Sequence, residues 1–312
     1  MLQLVADRFG PPEDVLRLRE MIRPSPGPGE VVIRMLASAI NPSDRLTTSG
    51  VYPYRTPLPF VPGFEGVGIL DTLGNGVAGV SVGQRVLPLG SPGGWQTYKT
   101  VSAHWCILVP DDLSDDDAAL SYVNPLTAHL MFKRLGVRPG QSVGINAAAS
   151  AIGRMLIRLV ANRRARPVAI VRSSQSASAL VGEPVESIVV GTDAIPSLDH
   201  GLDAVGGEDG ARLATAVRAG GVFLYYGLLS GRALPPDLHR SSAAAIEPFR
   251  LRNWVHQASI MELHEVMKVV FAGVRNGHLR TSHIERFPLH DFQSALARDA
   301  APGRRGKVLL TP

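Results

Sequence analysis

The chain of 312 residues contains one cysteine, Cys106. That excludes an internal disulfide and any multi-cysteine zinc lobe. Aromatic residues are scarce at 6%, and charged residues reach only 19%, below the quarter or so usual in soluble domains. Lys plus Arg number 32 against 27 Asp plus Glu, a net +5, and the tightest basic cluster is Arg163-Arg164-Ala165-Arg166. A nucleic-acid-binding chain of this size would interleave basic runs with exposed aromatics, so no nucleic-acid partner is expected. No run of about eighteen apolar residues occurs, and no membrane span is expected. The opening MLQLVADRFGPPEDVL has neither a basic start nor an apolar core, so no signal peptide is expected either. The expectation is a soluble, cytoplasmic protein of a reducing compartment.

What the chain does have is punctuation, with 32 glycines and 24 prolines. Up to about residue 120 it places short β-type runs between turns: Glu30-Val31-Val32-Ile33-Arg34-Met35, Gly66-Val67-Gly68-Ile69-Leu70, Gln84-Arg85-Val86-Leu87-Pro88 and Cys106-Ile107-Leu108-Val109. Such spacing predicts a β-rich, barrel-like unit. The pattern then changes to strand, helix, strand. Ser142-Val143-Gly144-Ile145-Asn146 reads as a buried strand, and Ile152, Met155, Leu156, Leu159 and Val160 line one face of a helix with Ser150 at its N-cap. Val168-Ala169-Ile170-Val171, Ser187-Ile188-Val189-Val190, Leu202-Asp203-Ala204-Val205 and Gly221-Val222-Phe223-Leu224-Tyr225-Tyr226-Gly227 continue the series. Near-continuous apolar strands separated by helices predict a parallel sheet covered on both faces. Between Val171 and Ile188 there is room only for a short helix, so that crossover is expected to be reduced. A helix over 261–276 and a strand Lys307-Val308-Leu309-Leu310 complete the chain. The expected division is 1–120 with 256–312 as the β-rich unit and 121–255 as the α/β unit.

The first strand–turn–helix of the α/β unit carries Asn146-Ala147-Ala148-Ala149-Ser150-Ala151-Ile152-Gly153. A dinucleotide site needs small residues there, since backbone must approach the pyrophosphate at a helix N-terminus; close helix–strand packing alone would also select them. The second strand ends in Val171-Arg172-Ser173-Ser174 rather than in an acidic residue. A guanidinium with two hydroxyls suits a ribose 2′-phosphate, and a solvated arginine after a strand is the alternative.

Taken in order from residue 40 to residue 309, a set of motifs resembles the medium-chain dehydrogenase/reductase superfamily. They are Ile40-Asn41-Pro42-Ser43-Asp44, Gly50-Val51-Tyr52, Pro59-Phe60-Val61-Pro62-Gly63-Phe64-Glu65-Gly66, Val123-Asn124-Pro125-Leu126-Thr127-Ala128, the alanine-rich loop, Val205-Gly206-Gly207, Leu251-Arg252-Asn253-Trp254 and Gly306-Lys307-Val308-Leu309. Within that superfamily the chain most resembles the zinc-free enoyl thioester reductases of mitochondrial type, with quinone oxidoreductases close by. The resemblance implies an α/β fold: a GroES-like β-rich catalytic domain plus a Rossmann-type, doubly wound nucleotide-binding domain. Metal-binding relatives carry a Cys near Asn41-Pro42-Ser43-Asp44 and a His at the position of Phe64. Neither residue here can replace thiolate or imidazole on zinc, so no metal is expected. Hydride transfer to a conjugated alkene needs instead one well-placed acid and a dry pocket.

By resemblance that acid is Tyr52, with Tyr54 as competitor, and the cofactor is NADPH. The implied cofactor contacts are Asn41; Asn124 and Thr127 beside the nicotinamide; Ser150, Ala151 and Ile152 at the pyrophosphate turn; Arg172, Ser173 and Ser174 at the 2′-phosphate; Tyr226, Gly227 and Leu228 below the ribose; Trp254, in the loop after the last sheet strand; and Lys307. Trp254 would equally suit core packing. The expected substrate is an enoyl thioester, an enone or a quinone. A quinone reductase and a cofactor-binding relative without catalysis are the alternatives. The resemblance also implies a homodimer paired edge to edge through the last nucleotide-domain strands, here Val222-Phe223-Leu224-Tyr225 and its successor, which would cover apolar edge strands.

Overall fold

Alternating apolar residues, with turns set by glycine and proline, drive the N-terminal third into short strands. In the computed structural model, which describes residues 1–312, β1 (Leu2–Ala6) pairs antiparallel with β2 (Leu16–Glu20). The long β3 (Glu30–Ala39) organises a second sheet. It pairs antiparallel along most of its length with β4 (Gly66–Leu73), which passes to β5 (Arg85–Pro88); its first half also pairs with β6 (Tyr98–Ser102). A short β7 (Cys106–Leu108) closes against β5. Val31, Ile33, Met35, Leu70, Val86, Val101 and Cys106 form one buried cluster, with 31, 33 and 35 on the same face because side chains alternate along a strand. Each such side chain contributes roughly 1.5–3 kcal/mol by leaving water.

The chain divides into two compact units: Met1–Val123, Val255–Arg275 and Thr281–Pro312 form one, and Asn124–Trp254 with Asn276–Arg280 the other. In the second unit, β8 (Ser142–Asn146), β9 (Arg166–Val171), β10 (Ser187–Val190), β11 (Leu198–Asp203), β12 (Val217–Tyr225) and β13 (Ala245–Pro248) form a parallel sheet. Its order is β10-β9-β8-β11-β12-β13, the arrangement of a doubly wound dinucleotide fold. β8 is buried along its whole length. Val168, Ile170, Val189, Leu198, Leu213, Val217 and Phe223 pack as the core on one face. The crossover between β9 and β10 is reduced to the five-residue helix Ser174–Ser178. Residues 191–197 then join β10 to β11 with no helix at all, yet all six strands are retained.

The first unit is completed by the returning chain. Helix Ile260–Arg275 buries Leu263, Met267, Val270, Phe271 and Val274, one stripe at helical spacing. β14 (Ile284–Pro288) pairs parallel with β15 (Lys307–Thr311), and β15 pairs antiparallel with the end of β3. Leu4, Leu16, Ile40, Trp95, Leu296, Val308 and Leu310 are buried together behind that junction. No helix is long and apolar enough to cross a membrane.

Candidate functional site

Because β8, β9, β11 and β12 are parallel, their C-terminal ends leave the sheet on one edge. The strand order reverses between β8 and β11, and a crevice outside the strand ends is expected at such a switch point. The two ends are tied together there. Asn146, at the end of β8, donates from Nδ2 to Asp203 Oδ1, and its Oδ1 accepts from Ala204 N at 2.8 Å. Asp203 also accepts from Val205 N at 3.0 Å and Gly206 N at 3.1 Å. Burial raises its carboxyl above the usual range against those hydrogen bonds.

The turn after β8 is built for close approach. Ala147 takes φ +46°, a left-handed conformation that costs a non-glycine residue about 1 kcal/mol. Ser150 caps helix Ala151–Asn162, its side chain accepting from Gly153 N at 3.1 Å. A Cβ on Gly153 would lie 2.5 Å from Ala148 O and 2.7 Å from Ala147 O, so only glycine fits. Ser150, Ala151 and Ile152 are half-buried. The first-turn amides of Ala151 and Ile152 have no acceptor within the helix, which suits them to an anion.

At the end of β9, Arg172 is exposed and Ser174 with it. Ser173 is already engaged as a cap, accepting from Ser176 N at 3.3 Å. At the end of β12, Tyr226 and Gly227 are half-buried and Leu228 is exposed. Tyr226 N donates to Asp203 O at 2.8 Å and Leu229 N to Ala204 O at 3.1 Å, fixing this loop against the end of β11. The Tyr226 hydroxyl is buried without a partner, and burial together with the Asp203 charge raises its titration. Asn124 is half-buried and Thr127 buried on helix Val123–Leu135. Trp254 is half-buried within helix Leu251–Gln257 rather than in a loop. Thus the structure brings the ends of β8, β9, β11 and β12 to one edge of the second unit.

In the first unit, Asn41, Asp44, Glu65 and Lys307 form a buried polar cluster. Lys307 Nζ donates to Ile40 O at 3.0 Å and to Asn41 Oδ1; Asn41 Nδ2 donates to Glu65 Oε2 at 2.8 Å. Glu65 Oε1 accepts from Tyr122 N at 3.0 Å and Val123 N at 2.7 Å, the amides that lead into helix Val123–Leu135. Asp44 accepts from Asn41 N at 2.9 Å, Gly63 N at 2.9 Å and Phe64 N at 3.0 Å. Burial pushes Asp44 up to about 7 and Glu65 upward; those amides and the Lys307 charge oppose it. Gly63 sits at φ +97°, where a Cβ would lie 2.7 Å from Gly94 N. Asn41 and Lys307, expected as cofactor contacts, are 0% and 4% exposed, and their side chains are hydrogen-bonded within this cluster. The sequence signal for Asp44 was available, since Asn followed three residues later by an acid marks a capped helix start.

Tyr52 is half-buried and begins the short turn Pro53–Arg55; Tyr54 is fully exposed. Of the two phenols, only Tyr52 is partly withdrawn from water. Cys106 is 3% exposed, and burial pushes its thiol up to about 12. No group of three His, Cys, Asp or Glu side chains is disposed to hold a metal ion. Position 64 offers a phenyl ring, and the 41–44 segment offers an amide and a carboxylate already committed to backbone N–H groups. That donor set does not fit tetrahedral zinc.

Two family models match the chain: "Alcohol dehydrogenase GroES-like domain" over residues 27–111 and "Zinc-binding dehydrogenase" over residues 182–310. The chain is 30% identical to the mitochondrial enoyl-[acyl-carrier-protein] reductase of Arabidopsis thaliana, covering 97% of this chain and 85% of that one. Among solved structures, a putative NADPH:quinone reductase from Bacillus thuringiensis superposes with a TM-score of 0.92 at 32% identity, covering 100% and 98% of the two chains. The Escherichia coli quinone oxidoreductase complexed with NADPH shares the fold, with a TM-score of 0.91 at 21% identity over 100% of both chains.

Proposed function

Because the chain belongs to the medium-chain dehydrogenase/reductase superfamily, we propose that it is an NADPH-dependent, zinc-independent reductase of an activated carbon–carbon double bond, with a 2-enoyl thioester as substrate. The observation that carries this reading is a half-buried phenol, Tyr52, in a unit where position 64 offers a phenyl ring and the Asp44 carboxylate is already taken up by backbone N–H groups. Reduction of a carbonyl without a Lewis acid is difficult. A conjugated alkene needs only a proton donor, because its own carbonyl stabilises the developing charge.

Bound NADPH would supply a hydride. Ala151 and Ile152 amides and Ser150 would hold its pyrophosphate, and Arg172 with Ser174 its 2′-phosphate, through charge-assisted hydrogen bonds. Asn124 and Thr127 would line the nicotinamide side, and Tyr226, Gly227 and Leu228 the ribose. Hydride adds to the β-carbon, the Tyr52 hydroxyl gives its proton to the α-carbon, and solvent restores the phenol. The Asn41–Glu65–Lys307 cluster keeps its charges internally matched and fixes the start of helix Val123–Leu135 through Glu65.

The test is NADPH oxidation with 2-enoyl-CoA, an enone and a quinone. Tyr52→Phe should lower enoyl turnover by about 10²-fold or more while leaving NADPH binding unchanged; unaltered turnover sinks the donor role. Arg172→Ala should weaken NADPH about tenfold, the size of one charge-assisted hydrogen bond, and leave NADH unaffected. A quinone reductase is the second reading, supported by the 32% identity to the Bacillus thuringiensis protein. It is preferred if quinone turnover exceeds enoyl turnover and survives Tyr52→Phe. Absence of saturable binding of either nicotinamide nucleotide would favour a relative without catalysis.

A further inference from the structure

The loop that carries Tyr52 also carries a cation. The guanidinium carbon of Arg55 lies 3.9 Å from the centroid of the Tyr52 ring. Local backbone sets this arrangement. Pro53 opens the turn Pro53–Arg55, where its fixed φ is suited to a first position. Arg55 N donates to Tyr52 O at 3.3 Å, and Thr56 Oγ1 donates to the same oxygen at 2.9 Å. Those contacts turn the chain back so that Arg55 covers the ring, while Tyr54 between them stays fully exposed. Arg55 is itself exposed and has no carboxylate partner, so its charge is not cancelled by an ion pair.

We propose that Arg55 is a positioning residue for proton delivery by Tyr52. It holds the ring in one orientation and stabilises the negative charge that grows on the phenol oxygen as the proton leaves. This rests on the reading of Tyr52 as the donor. A cation over an aromatic face is attracted by the ring's negative face, and a ring losing a proton becomes more electron-rich. The attraction is therefore stronger in the transition state than in the ground state, which is the condition for raising kcat rather than lowering KM. The step balances: hydride joins the β-carbon, the O–H bond of Tyr52 breaks as a C–H bond forms at the α-carbon, and water returns the proton.

Arg55→Gln, Arg55→Lys, Tyr52→Phe and the double variant Tyr52→Phe with Arg55→Gln test this, each with NADPH and either 2-enoyl-CoA or an uncharged enone. Arg55→Gln should lower kcat about two- to fivefold on both substrates, the size of an exposed cation–π contact, with KM for substrate and NADPH unchanged. Arg55→Lys keeps the charge without the flat stack and should fall between. In the Tyr52→Phe background the same substitution should cost nothing more. A KM increase confined to the CoA substrate would make Arg55 a binder of the carrier's phosphates and overturn the proposal, as would a full additional loss in the double variant. A slow Tyr52→Phe with an unaffected Arg55→Gln overturns the Arg55 role alone. An unaffected Tyr52→Phe overturns the donor reading and this role with it.

Discussion

Lys99 lies in β6, 2% exposed, with Nζ donating to Pro88 O at 2.8 Å and Ser91 O at 2.7 Å. Burial pushes its ammonium down to about 7, against the opposing influence of Cys106. An unfolded lysine titrates near 10.4. Between those values the unfolded chain binds a proton that the native chain does not, so this group makes stability rise with pH across that window. Lys99→Met should remove the rise. In urea melts at pH 7, 8.5 and 10, wild type should gain on the variant as pH increases; a constant difference would contradict the assignment. Asp44 acts in the opposite sense at lower pH. Its folded value of about 7 lies above its unfolded one, so its contribution declines as pH rises from about 4 to 7. None of this was legible from composition, because burial of a single lysine depends on pairings far along the chain.

Among the elements, local periodicity carried the α/β unit well. Ser187–Val190 is the strand the apolar run implies, and Ser150 caps helix Ala151–Asn162 as its position before the apolar stripe suggests. β11 begins at Leu198, ahead of the apolar run, because Asp199 and His200 sit inside the strand, where Asp199 accepts from Ser142 N at 2.7 Å. β1, β2, β6, β13 and β14 are not marked by the apolar runs; charged residues or proline interrupt the pattern in every one of them except β1. The reduced crossover was legible; its compensation was not. Glu183 is gripped by Arg158 Nε at 2.8 Å and Arg154 Nη1 at 3.1 Å, and Arg158 Nη1 also donates to Gly277 O at 3.1 Å and Arg280 O at 2.9 Å. Burial raises the Glu183 carboxyl, but the two guanidinium groups hold it below the usual range overall. Glu183→Ala leaves two half-buried cations facing each other and should destabilise the fold by about 3 kcal/mol. A loss under about 1 kcal/mol in denaturant melts would show that the clamp is only a surface ion pair.

At the scale of the whole molecule, the motif series from residue 40 to residue 309 identified the superfamily and its fold and marked the positions expected to meet a cofactor. What it could not show was which of those residues face outward. Asn41 and Lys307 read as ligand contacts in a motif, and the structure buries both with their side chains hydrogen-bonded inside the Asn41–Glu65–Lys307 cluster. The six-stranded sheet ends on β13, a four-residue edge strand of Ala245, Ile246, Glu247 and Pro248. An uncovered edge invites pairing with another chain, and we propose a homodimer formed through it. Light scattering should give twice the mass of the chain, and Ile246→Pro should shift it toward monomer; a wild-type monomer would rule the dimer out.

The central claim is reduction of a conjugated double bond with Tyr52 and no metal ion. Its most direct measurement is NADPH-dependent turnover of a 2-enoyl-CoA by protein treated with a strong chelator and freed of metal by dialysis. Turnover should equal that of untreated protein, with metal content far below one ion per chain. Stoichiometric zinc in the untreated protein, with activity lost on chelation and restored by adding zinc, would contradict it.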